Sequence, residues 1–152
     1  MSEDAKSESW RGKVGGMTQD EMEEFLAGKV LCRLGVLDRD GWPYVVPVWY
    51  QYKDGGFYII PRERSNWARY MENDKRVYLD IDEEGSLRKV LVKGEAELVE
   101  DGALEHLDAV TRKYTSHPRY YGYVFPMEKK ERETRIICRI HARKITLDAI
   151  HG

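Results

Sequence analysis

The sequence predicts a mainly β fold with flanking helices, in which six antiparallel strands curl into a small barrel. Three observations predict it. Hydrophobic residues alternate with polar ones in short runs, Asp-Gly and Gly-Gly pairs separate successive runs at hairpin spacing, and helical periodicity is confined to a few short segments. Closing the strands into a barrel would also remove the edges that such a sheet otherwise exposes.

Residues 1–16 are rich in Ser, Glu, Lys and Gly and predict a mobile arm ahead of one domain over 17–152. Thr18-Gln19-Asp20-Glu21 is a capping box that opens a helix, with Met22, Phe25 and Leu26 on one face and Gly28 as the stop. Val30 to Asp38 then alternates, placing Val30, Cys32, Leu34 and Val36 on one side. Arg39-Asp40-Gly41 turns the chain, and Tyr44 to Lys53 returns as the second strand. Pro47 within it cannot donate to a ladder and predicts an edge or a bulge. Asp54-Gly55-Gly56 makes the next hairpin into Phe57–Ile60.

Ser65 to Asn73 reads as a short helix with Ser65 as its cap and Trp67, Tyr70 and Met71 as its apolar side. Arg76–Asp82 and the long run Ser86–Val99 follow as strands, and Gly94 inside the latter predicts a bend or a close backbone approach. Ala103–Tyr114 is amphipathic through Leu104, Leu107 and Val110, and the last strand spans Thr134 to Leu147.

A chain of 152 residues buries a real core without disulfides or metal. Its 41% hydrophobic and 34% charged residues, at a net charge of −2, describe a soluble globular protein. Basic residues are everywhere interleaved with acidic ones, which argues against nucleic acid as a partner. No apolar run reaches the ~20 residues needed to cross a membrane. The polar start MSEDAKSES lacks a signal-peptide core, so a cytoplasmic location is expected. Cys32 and Cys138 have no metal-ligand spacing and read as buried, reduced thiols, with no metal site expected.

The segment Ile59-Ile60-Pro61-Arg62-Glu63-Arg64-Ser65-Asn66-Trp67 is the strongest local signal. A hydrophobic strand ends there in a turn with two arginines and a helix-starting serine, an arrangement suited to a phosphate. The plainer alternative is a solvated turn. Ser116 to Tyr123 is a loop of aromatic and polar residues that reads equally as a lid or as a packed connection. No Ser-His-Asp order, paired carboxylates or Walker-type loop is present, which fits a protein whose chemistry belongs to a cofactor.

The order of these motifs resembles the pyridoxamine 5'-phosphate oxidase-like, FMN-binding split-barrel superfamily. The resembling residues are Leu37-Asp38-Arg39-Asp40-Gly41-Trp42-Pro43-Tyr44 with Val45 to Tyr50, then Asp54-Gly55-Gly56-Phe57-Tyr58, the Arg64-Ser65 helix start, Asn73 to Val77, and Val92 to Leu98. The resemblance implies a six-stranded antiparallel split β-barrel. It also implies a homodimer with flavin sites at the subunit interface, and hydride transfer to or from a small substrate. FMN, or in one branch the deazaflavin coenzyme F-420, would lie against Val46, Pro47, Val48 and Trp49. Its phosphate would be held by the turn of Ile60, Pro61, Arg62, Arg64, Ser65 and Asn66. Many relatives have a lysine where this chain has Trp67; Arg69 would compensate, or the tryptophan would stack on a flat group. Lys89 falls where relatives reach the flavin edge, and its alternative is an outward lysine on a strand. A further alternative is a non-catalytic protein that stores or senses flavin or haem; some relatives bind haem, for which His117 or His141 would be the ligand.

Overall fold

The computed structural model describes residues 16–148, so the expected arm lies outside the described residues apart from Gly16. Helix α1 (Gln19–Ala27) opens as the sequence predicts. The Glu21 amide donates to Thr18 Oγ1 at 3.1 Å and the Thr18 amide to Glu21 Oε1 at 2.8 Å, closing the capping box. Its buried Met22, Phe25 and Leu26 reach the main core.

Strands β1 (Cys32–Leu37) and β2 (Pro43–Val48) form the first hairpin. The Asp38 carboxylate accepts from the amides of Asp40 and Trp42, both at 2.9 Å, and Gly41 supplies the positive φ of +85° that closes the turn. β3 (Gln51–Lys53) and β4 (Gly56–Ile59) form the second hairpin. Helix α2 (Asn66–Asn73), β5 (Arg76–Asp82), β6 (Lys89–Val99), helix α3 (Ala103–Tyr114), a 3-10 turn (Met127–Lys129) and β7 (Ile137–Asp148) complete the described chain.

Among the described residues the strands form one sheet in the order β2-β1-β5-β6-β7-β4-β3, with every neighbouring pair antiparallel. The second expected strand is therefore two strands, making seven rather than six. The reason is topological. β2 and β3 are the opposite edges of the sheet, yet only Trp49 and Tyr50 separate them in sequence. So short a link spans at most about 11 Å, and the sheet must curl until its edges approach. The result is a half-barrel, split where the chain steps from one edge to the other.

Pro47 and Pro43 both lie on edge strand β2, where a missing N–H costs no ladder bond. Tyr50 turns inward at the step and is fully buried, its hydroxyl donating to the Leu26 carbonyl at 3.1 Å. Between Lys93 and Gly94 the register shifts by one residue, leaving Arg143 of β7 as the extra residue of a bulge. A Cβ on Gly94 would stand 2.5 Å from the His141 carbonyl oxygen, which explains the glycine in that strand.

Two cores result. The larger fills the half-barrel with Leu34, Tyr50, Phe57, Leu79, Val92 and Ile140. The smaller, Ile60, Leu107, Val110, Tyr121 and Ile137, packs α3 against the end of β4 and the start of β7. The candidate site lies beside this second core.

Candidate functional site

A cavity of about 620 Å³ opens where the split brings several elements together. β2 and the step after it contribute Pro47, Val48 and Trp49, and β4 and its continuation contribute Ile59 and Ile60. α2 contributes Trp67, α3 Leu107 and Val110, and the following loop Tyr120 and Val124; Leu31 and Arg135 complete the lining. Of the residues expected at a cofactor, Pro47, Val48, Trp49, Ile60 and Trp67 are thus brought to one cavity. Val46, one residue earlier on β2, packs towards the barrel core instead. Lys89 opens β6 opposite Asp82 and is not among the lining residues.

The arginine turn continues the β4·β7 pairing past the end of β4. Ile136 N–H donates to the Pro61 carbonyl at 3.1 Å, Glu63 N–H to the Thr134 carbonyl at 2.8 Å, and Arg62 bridges Arg135. Ser65 holds the N-cap position of α2, but its hydroxyl makes no cap bond to the helix. The first intrahelical bond runs from the Arg69 amide to the Ser65 carbonyl. Asn66, Arg64 and Arg69 are exposed around this helix start.

Sequence reasoning missed the residue at the centre of the cluster. Glu133, with its side chain only 4% exposed, lies 3.4 Å from Arg62 Nε, 3.7 Å from Arg64 Nη2 and 3.5 Å from Arg135 Nη2. The Tyr121 hydroxyl donates to Glu133 Oε1 at 2.8 Å and accepts from Arg135 Nε at 3.1 Å. Burial by itself pushes the Glu133 carboxyl up. The Tyr121 hydrogen bond and the three guanidinium charges outweigh it and hold the group below the usual carboxylate range. Arg135 also donates to the Ile60 carbonyl at 3.0 Å, which carries the cluster to the cavity wall. In the sequence, Glu133 is one acidic residue in a charged run, and nothing local marks it as buried.

The loop reads as a wall rather than a free strap: Tyr120 and Val124 line the cavity, and the Tyr120 amide is held by Asp108 at 3.0 Å. His117 is exposed beside Tyr123, and His141 pairs with Glu97 at 2.7 Å on β7; neither lines the cavity. Both cysteines are buried and free, with burial the leading cause that pushes each thiol up to about 12. Among the described residues no group of His, Cys, Asp and Glu is placed to hold a metal ion. No helix among them is long and apolar enough to cross a membrane.

The sequence matches the profile of the family "Pyridoxamine 5'-phosphate oxidase" over residues 18–149. The chain belongs to this family. Its fold is that of the pyridoxamine 5'-phosphate oxidase-like split barrels. A conserved hypothetical protein from Mycobacterium tuberculosis superposes with a TM-score of 0.73 at 27% identity, covering 91% of this chain and 88% of that one. A protein described as an F420 reductase gives 0.68 at 17% identity, covering 82% and 94%. An FAD-binding protein from Mesorhizobium loti gives 0.64 at 24% identity, covering 87% and 94%. The last two likenesses speak for the fold alone. No protein of curated function matches the sequence.

A pyridoxamine 5'-phosphate oxidase-family barrel implies a flavin-type cofactor, and the residues present fit one. The cavity walls are apolar and aromatic, as a flat ring requires, and the volume falls in the usual range for ligand sites. The guanidinium-to-carboxylate distances of 3.4–3.7 Å exceed those of tight charge-assisted bonds, so the arginine donors are not saturated. Three guanidinium charges against one carboxylate leave the cluster a net charge of +2. That charge suits a phosphate.

Proposed function

We propose that this chain is an FMN-dependent oxidoreductase that transfers a hydride to or from a small substrate in the Trp49–Trp67 cavity. One observation carries the reading: an aromatic, apolar cavity bordered by a three-arginine cluster at an open helix start. When bound, the flavin supplies the hydride chemistry. Arg62 and Arg64 hold the phosphate together with the backbone N–H groups that begin α2. Pro47, Val48 and Trp49 support the ring. Leu107, Val110 and Val124 keep water from the reacting face. Arg135 alone among the lining residues is charged, and it would offer positive charge at the cavity wall to stabilise a reduced, anionic cofactor.

A second reading exchanges FMN for the deazaflavin coenzyme F-420. Arg62, Arg64 and Arg69 around the helix start favour it, because the long acidic tail of that coenzyme calls for several cations. The likeness to the F420 reductase supports the same fold in that role.

The working unit in this proposal is a homodimer. Val45, Gly35 and Tyr78 stand side by side across β2, β1 and β5 on the outer sheet face. Val45 is 64% exposed and Tyr78 47%. Sedimentation equilibrium is expected to give twice the chain mass; a monomer at micromolar concentration removes the second copy from the site.

The test of function is the absorbance spectrum of the purified protein, followed by titration with FMN and with coenzyme F-420. Saturable binding of one of them at micromolar concentration or below is expected. Binding of neither overturns the cofactor reading and leaves the family fold without it.

A further inference from the structure

We infer that Glu133 is an internal anion that sets how strongly the arginine cluster holds a phosphate-bearing ligand. The inference rests on the proposed phosphate role of Arg62 and Arg64. Glu133 is buried and sits within 3.7 Å of three guanidinium groups. It is fixed there from outside the arginines, by the buried Tyr121 hydroxyl at 2.8 Å.

Such a placement has two consequences with opposite signs. The carboxylate holds Arg135, whose side chain is 9% exposed, in one orientation against the cavity wall. It also stands among the same positive charges that an arriving phosphate must use, and repels that phosphate through a partly desolvated medium. Magnitude decides between them. A glutamine at 133 keeps an oxygen to accept from Tyr121 and the arginines, so most of the orienting effect survives. The negative charge does not survive, and its removal raises the cluster from +2 to +3. The difference between the two proteins is then the repulsion alone, and by that difference Glu133 acts as a brake on anion affinity. Arg64, 69% exposed, is the guanidinium freest to turn from Glu133 to a ligand.

The experiment measures inorganic phosphate binding by calorimetry in wild type and Glu133→Gln, then FMN against riboflavin, which differ only in the phosphate. Glu133→Gln is expected to tighten inorganic phosphate and FMN by about tenfold or more, with riboflavin changed less than about twofold. Weaker or unchanged phosphate binding overturns the proposal, as does an equal shift of FMN and riboflavin. If phosphate tightens but neither flavin binds, the brake stands and the cofactor reading fails. Should Glu133→Gln not fold, Glu133→Asp draws the carboxylate back from the arginines. It is expected to tighten phosphate by a smaller factor, and unchanged or weaker binding overturns the proposal equally.

Discussion

The rings of Trp49 and Tyr114 lie nearly parallel, 6° apart in plane and 5.2 Å between centroids. This stack joins the step between β2 and β3 to helix α3, and the Tyr114 hydroxyl extends the brace by donating to the Val30 carbonyl at 2.7 Å. One face of Trp49 is thereby committed to the protein, and the indole still lines the cavity. Trp49→Leu removes the aromatic surface and leaves an aliphatic wall. An aromatic pair contributes ~0.5–1.5 kcal/mol beyond its buried area. Riboflavin affinity, followed by quenching of flavin fluorescence, is expected to fall roughly 2- to 12-fold. Unchanged affinity would mean that the ring does not lie against Trp49.

Arg64 tests the phosphate contact with little structural disturbance. Its contact with Glu133 is long, and its side chain is largely in solvent, so stability should change by less than about 0.5 kcal/mol in Arg64→Ala. A charge-assisted hydrogen bond to phosphate is worth ~1.5–3 kcal/mol. FMN affinity is expected to fall roughly 10- to 150-fold while riboflavin affinity stays the same. An unchanged FMN dissociation constant removes Arg64 from the site.

Gly94 tests the close approach of β6 to β7. A Cβ there would lie 2.5 Å from the His141 carbonyl oxygen and 3.2 Å from Ile140 Cγ2, and the first of these is backbone that cannot swing aside. Gly94→Ala is expected to cost about 1–3 kcal/mol in urea denaturation. A cost below about 0.5 kcal/mol would show that the β6·β7 ladder yields at its bulge.

Lys113 gives a pH test. Its ammonium donates to the Tyr50 carbonyl at 3.1 Å and sits 3.5 Å from the Tyr50 ring centroid. Burial lowers it from the ordinary 10.5 to about 8. Below pH 8 both the folded and the unfolded chain carry the proton. Between about 8 and 10.5 the unfolded chain binds it more, so stability contributed by Lys113 rises with pH across that window. The stability of wild type minus that of Lys113→Met is therefore expected to increase from pH 8 to pH 10. A flat difference would mean that the ammonium stays solvated.

Much of the fold was legible in the sequence because it is written locally. Thr18 and Glu21 are three residues apart and close a capping box wherever the helix packs. Asp38 and Gly41 make their turn from their own side chain and φ. Pro47 announced an edge because a residue without an N–H has few places in a sheet. Gly94 announced a close approach for the same kind of reason. The family resemblance was legible as an ordered series of such local signals, and five of the residues it singles out, Pro47, Val48, Trp49, Ile60 and Trp67, line one cavity.

What only the tertiary structure decided is long-range. The run from Tyr44 to Lys53 alternates like a single strand, and nothing within it says that its two halves pair with opposite edges of the sheet. That break at Trp49 and Tyr50 follows from closure of the half-barrel, a property of all seven strands together. Glu133 was invisible for a related reason. A carboxylate in a charged run is ordinarily solvated, and it becomes a buried counter-charge only when β4 and β7 bring Arg62 and Arg64 beside Arg135. Local chemistry fixes what each residue can do; which charges must share one small, poorly hydrated volume is fixed by the fold.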